Sequence, residues 1–169
     1  YIKRIGCGEI LNDLIAVYDN VDAIDWSGLP NSFVVKVSMG CGFNIIVPDK
    51  SCFDRSFVEK KLKKWMKSKP YLDYAEMQYK GVKPHIIIEK YLKPKHGVLP
   101  EDYKFYCYDG EVPYVMVCTD REKGGRISKW YFNDKWELQM MTEDALKHGS
   151  TGKIPKPEGI EKAFSYAQI

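Results

Sequence analysis

The sequence predicts an α+β fold, with helices packed on two subdomains of antiparallel sheet. Three observations carry this. Residues Phe33 to Val47 read FVVKVSMGCGFNIIV, two β-branched runs around a small-residue turn, which is a hairpin pattern. Phe53, Phe57, Val58, Leu62, Trp65 and Met66 fall at near-helical spacing. From His85 onward, short apolar or alternating runs are divided by turn signals such as Asp109-Gly110, the mark of an antiparallel meander.

In chain order, Tyr1 to Pro30 mixes a short helical start, Gly6 and Gly8 as breakers, and an extended piece at Leu14 to Tyr18. The cluster Asp25 to Asn31 is a turn that introduces the strand Phe33 to Ser38. Ser51 can cap a helix from about Asp54 to Ser68, which Pro70 ends. His85 to Leu92 (HIIIEKYL) begins with a continuous apolar run, as a buried strand does. Strands are then expected at Tyr103 to Tyr108, Val112 to Thr119 and Ile127 to Phe132, with a charged glycine turn at Asp120 to Gly125. A helix over Thr142 to His148 and a last one from near Glu158 complete the chain. The expected organisation is a lead-in over 1–30, a glycine-loop hairpin and helix subdomain over 31–84, and a nucleotide-binding sheet subdomain over 85–169. The chain opens on Tyr1 and closes within a helical pattern, so it reads as part of a longer protein whose C-terminal part is incomplete here.

A chain of 169 residues with 44% hydrophobic and 14% aromatic content can bury a core, which excludes disorder. Its 26 basic and 23 acidic residues are too evenly balanced to mark a nucleic-acid binder. Cys7, Cys41, Cys52, Cys107 and Cys118 are odd in number and lack CxxC spacing, so neither a disulfide framework nor a zinc site is indicated. A reducing cytoplasm fits that usage, at or near the inner face of the membrane. No stretch has the apolar length of a membrane span.

The chemistry centres on Lys36. A strand that delivers a lysine into a turn bearing Ser38, Gly40 and Gly42 can hold phosphate, because exposed backbone N–H groups point at the anion and the ammonium adds a full charge. The same residues also suit a plain hairpin that needs no ligand. Lys60, Lys61, Lys63, Lys64 and Lys67 fit the solvated face of an amphipathic helix or an anion-binding patch. A nucleotide in a crevice between the two halves would need cations for phosphate, a carboxylate for ribose and a flat apolar slot for the base. Lys36, Glu101 or Asp102, and the strand edge Glu89 to Leu92 are the respective candidates.

These residues resemble a family. The approach Ile24-Asp25 through Leu29-Pro30 and Phe33 to Lys36, then IIIEKYL, then DYKFYCYDGEVPYVMVCTDR, are similar to the TupA-like branch of the ATP-grasp superfamily, associated with bacterial cell-surface polysaccharide genes. The resemblance runs from about Tyr1 to the end. It implies ATP held by two α+β subdomains and a carboxylate activated as an acylphosphate. It assigns Lys36 to phosphate, the turn Ser38, Gly40, Cys41 and Gly42 to the phosphate lid, and Glu89, Lys90, Tyr91 and Leu92 to adenine. Asp102 becomes the ribose carboxylate, with Glu101 an equally close neighbour. Lys104 and Arg121 would face the phosphates or an acidic saccharide or amino-acid substrate, as the catalytic pair.

The turn departs from the branch, which usually carries His and Ser where this chain has Met39 and Cys41. The family's Mg²⁺ ligands lie beyond Ile169, so no metal residue is assigned, and the expectation is weak nucleotide binding without turnover by this chain alone. His85, His96 and His148 are scattered and form no set. Cys107 and Cys118 are expected as small apolar residues in strands, and Trp26, Trp65, Trp130 and Trp136 as packing residues. Two rivals stand beside the ligase: a glycosyltransferase-associated protein, although no DxD motif occurs, and a non-catalytic polysaccharide-biosynthesis scaffold. The oligomeric state is open.

Overall fold

The computed structural model describes residues 1–94, 99–120, 127–148 and 154–169. Within them lie two four-stranded antiparallel sheets and four helices, an α+β architecture. The chain divides into two compact units, Tyr1–Leu92 and Lys93–Ile169.

In the first unit the strands are β1 (Leu14–Tyr18), β2 (Phe33–Val37), β3 (Asn44–Val47) and β4 (Ile86–Lys90). Their order is β1-β4-β2-β3, so β4 is a central strand inserted between β1 and the hairpin. The meander pattern of the sequence puts this apolar run ahead of the later strands; its buried Ile86 and Ile88 instead complete the first core. Alternation sends Phe33, Val35 and Val37 to the same side, where they meet Val58 and Leu62 of α1 (Arg55–Trp65). The α1 cap is Asp54, whose Oδ1 accepts from the Phe57 N–H at 2.9 Å. Ser51 lies earlier, in a 3-10 turn over Lys50–Cys52 that Asp49 caps. A second short helix, α2 (Pro70–Asp73), starts on Pro70, whose missing N–H costs nothing at a first helical position.

The turn before β2 is built on Asp25. Its Oδ1 accepts from the Ser27 N–H, the Ser27 hydroxyl and the Gly28 N–H, and these bonds, the Ser27 hydroxyl first, hold the carboxyl below its ordinary range. Trp26 then turns inward and its Nε1–H donates to Glu59 Oε1 at 2.9 Å. Asp25→Ala is expected to lower stability, because the Ser27 and Gly28 donors lose their shared acceptor, measured by urea unfolding at neutral pH. The sign for pH follows from the depressed pKa: this contribution is present above the ordinary aspartate range and is lost as the pH falls through the folded value.

The second unit is a meander of β5 (Asp102–Tyr108), β6 (Glu111–Thr119), β7 (Ser128–Phe132) and β8 (Leu138–Gln139) in sequence order. Asp109 and Gly110 link β5 to β6 with φ of 47° and 82°, the left-handed pair a two-residue hairpin loop requires. One face packs Val115, Val117, Trp130 and Phe132 against Ile160 and Phe164 of α4 (Ile160–Ala167). The remaining helix, α3 (Glu143–His148), follows β8. Cys118 is buried as expected of an apolar strand residue, whereas Cys107 sits at the register shift before the β5–β6 loop and is exposed. The tryptophans pack: Trp26 and Trp130 are buried, Trp65 stacks on Phe43 and Trp136 on Phe132.

Candidate functional site

Because the odd residues of β2 point into the core, Val34 and Lys36 stand on the opposite, open face of the first sheet. On β4 the residues that share this face are Ile87 and Glu89. Register sets Lys36 opposite Ile87 and Glu89 opposite Val34, so the lysine and the carboxylate are diagonal neighbours. Lys36 Nζ donates to Glu89 Oε2 at 2.5 Å. The lysine side chain is 42% exposed and the glutamate 23%, so the ammonium remains open to a ligand. The result is one ion pair on a mixed strand face, where β3 sets Ile46 beside Val34 and the exposed Asn44 opposite Lys36.

The glycine turn adjoining this pair is firmly based. The Ser38 N–H donates to the His85 carbonyl at 2.8 Å, and Ser38 Oγ accepts from the His85 N–H at 2.9 Å. That leaves the hydroxyl hydrogen of Ser38 as a donor for an anion. Met39 is buried, while Cys41 is exposed. Gly40 and Gly42 both have positive φ, 77° and 76°, yet their surroundings differ. A Cβ at Gly40 would lie 2.8 Å from the Phe43 ring and 3.1 Å from Pro70, and one at Gly42 would meet nothing within 4 Å. Gly42→Ala therefore costs only the left-handed conformation, roughly 1–2 kcal/mol. Gly40→Ala adds a clash and is expected to lower the melting temperature further than Gly42→Ala in a paired thermal melt.

Along the end of β4, the Lys90 N–H donates to the Asp13 carbonyl at 2.9 Å, its carbonyl accepts from Asn12 Nδ2 at 2.9 Å, and its Nζ pairs with Asp13. Lys90 is thus tied to the segment before β1. Tyr91 and Leu92 lie past the end of the strand, with Leu92 exposed.

In the second unit the strand alternation separates two carboxylates that are adjacent in sequence. The Tyr103 hydroxyl donates to Glu101, and both side chains line a cavity of about 430 Å³ with Lys93, Pro100, Pro155 and Pro157. Burial first, and then this carboxylate, push the Tyr103 hydroxyl pKa up. Asp102 instead pairs with Lys104, two residues on along β5 and on the same face. Lys104 lies opposite Met116, which lies opposite Tyr131. Arg121 lies outside the described residues, as do His96 and most of the glycine turn that follows Asp120.

The sequence reading passed over Tyr106 and Tyr131, whose hydroxyls meet at 2.9 Å near Lys104. Period-two spacing of Lys104 and Tyr106 on β5 was the available signal; the partner on β7 required the register. That hydrogen bond, and then burial, push the Tyr131 pKa up to about 12. A raised tyrosine pKa supplies stability below the unfolded value, near 10, that is lost as the pH rises through the folded one. Absorbance titration is expected to show two late-ionising tyrosines, Tyr103 and Tyr131, of which Tyr131→Phe removes one.

Among the described residues no three His, Cys, Asp or Glu side chains come together as a metal-holding set.

The two α+β units of antiparallel sheet agree with the architecture of an ATP-grasp protein. A family model described as TupA-like ATPgrasp matches residues 1–168. The chain belongs to the TupA-like ATP-grasp family, and with membership come ATP binding and ligase-like chemistry. No curated protein and no solved structure matches it.

Proposed function

We propose that the chain binds ATP on the open face of its first sheet and serves a carboxylate-activating ligase in the assembly of a bacterial cell-surface polysaccharide or teichuronopeptide-type polymer. The observation that carries this reading is the Lys36–Glu89 pair on the open strand face, opposite Asn44 and next to a based glycine turn. Lys36 neutralises phosphate charge, with the Ser38 hydroxyl and the N–H groups of Gly40 to Gly42 as further donors. Val34 and Ile87 supply apolar contact, and the chain past β4, at Tyr91 and Leu92, supplies backbone groups for the base. Lys90 contributes less, since its backbone is already engaged.

In the second unit the Asp102–Lys104 pair is the charged group we assign to ribose or to an acidic saccharide or amino-acid substrate. Asp102 is preferred over Glu101, which Tyr103 occupies. Lys104 and Arg121 are the cations assigned to developing phosphate charge.

In this reaction a substrate carboxylate oxygen attacks the γ-phosphorus, the bond to the bridging oxygen breaks and ADP leaves. An amine or other nucleophile then takes the acyl group and phosphate departs. The test is incubation with ATP, an acidic saccharide and hydroxylamine. Hydroxamate with stoichiometric ADP is the product that marks the ligase reading once the Mg²⁺ ligands are present, whereas residues 1–169 alone are expected to bind ATP weakly without turnover. Release of a nucleoside diphosphate from a sugar donor would mark the glycosyltransferase reading, and failure to bind ATP would mark the scaffold reading, which the apolar Met39 in the turn favours. The location implied is cytoplasmic, peripheral to the inner face of the membrane. No helix among the described residues is long and apolar enough to cross one.

A further inference from the structure

We propose that the surface formed by residues 60–83 docks on an anionic lipid bilayer. Charge is the first ground. This segment holds eight lysines against two carboxylates, Asp73 and Glu76, a net of +6 in a chain that totals +3, so everything outside it sums to −3. Lys67, Lys69 and Lys83 surround a cavity of about 530 Å³ whose wall includes Met66, Tyr71 and Val82. Lys63 pairs with Asp22 and Lys83 with Asp19, two carboxylates that line a pocket with Lys67, while Lys67, Lys69 and Lys80 make no ion pair among the described residues.

A lysine-rich helix face alone is ordinary solvated surface. What sets this one apart is the apolar side chains standing out of the same segment: Leu72 is 68% exposed, Tyr74 74%, Met77 57% and Val82 47%. Leu72 lies on α2 and Met77 on the 3-10 turn Met77–Tyr79 that packs against it. Protruding aliphatic and aromatic residues in a lysine-rich segment match both layers of a bilayer interface: ammonium groups meet anionic headgroups, and apolar tips enter the boundary with the acyl chains. Nucleic acid would engage the lysines but give Leu72 and Met77 no role. The surface lies within one unit and does not depend on the ATP reading.

The test is co-sedimentation of the full chain with vesicles of phosphatidylglycerol and phosphatidylcholine, against phosphatidylcholine alone. Binding is expected only to the anionic vesicles, weakening as salt rises. Lys67→Glu with Lys69→Glu should weaken it roughly tenfold or more. Leu72→Ser with Met77→Ser, both at exposed positions, should also weaken it. The serine pair should leave an ATP-induced thermal shift unaltered, so loss of docking and failure of the nucleotide reading are told apart. Equal binding to both vesicle types, no binding to the anionic ones, or full binding by the serine variant overturns the proposal. So does a labelled single-stranded RNA that binds more tightly than the anionic vesicles and is indifferent to the serine substitutions.

Discussion

Replacing Lys36 with alanine is expected to abolish the ATP-induced rise in melting temperature while leaving the unliganded protein folded. The two halves of that expectation have different causes. A charge-assisted hydrogen bond to phosphate contributes about 1.5–3 kcal/mol, so its loss weakens binding by roughly tenfold to more than a hundredfold. The Lys36–Glu89 pair, by contrast, is partly exposed, and such pairs add little to folding. Glu89→Gln separates the roles further. It removes the internal competitor for the ammonium, so phosphate contact should survive, whereas any contact of the carboxylate with the base should be lost. Isothermal titration of ATP and of inorganic triphosphate into both variants distinguishes them. An undiminished ATP shift in Lys36→Ala would remove the ground for placing phosphate at this strand.

The largest expected loss of stability comes from Phe33→Ala. Phe33 is fully buried in β2, with its ring 5.8 Å from Phe53 and 6.5 Å from Trp26. Truncating a buried phenylalanine typically costs 3–5 kcal/mol, the lost transfer energy plus the cavity left behind. That is a large share of the 5–15 kcal/mol a domain usually has. Urea unfolding followed by Trp26 fluorescence should show a midpoint shift of that order. Since β2 carries both Phe33 and Lys36, the variant should also bind ATP less well near its melting temperature. A cost under about 1 kcal/mol would mean the aromatic cluster is not the packing centre of the first unit.

Much of the local structure was legible because period and punctuation agree. The β-branched alternation of Phe33 to Val37 and the Asp109-Gly110 loop appear as hairpins, and the helix over 55–65 appears where its apolar spacing put it. The cap was misread from Ser51 because the rule of a polar residue before a helix is met there and again at Asp54. Only the backbone shows which oxygen reaches a free N–H. Similarly, Cys107 and Cys118 look alike as strand cysteines, but one lies at a register shift beside the hairpin loop and the other within the buried run of β6.

The sequence by itself determined the fold class, the strand that carries Lys36, the turn beside it and, through the motifs around Asp25 and Asp102, the family. These rest on short-range patterns, side-chain period and turn chemistry, which the chain spells out residue by residue. Tertiary structure alone decided that β4 joins the first sheet and sets Glu89 against Lys36, that Glu101 and Asp102 part to different partners, and that Tyr106 meets Tyr131. Those are matters of register between strands distant in the chain, where a shift of one residue exchanges the faces and no local signal records which register has the lower energy.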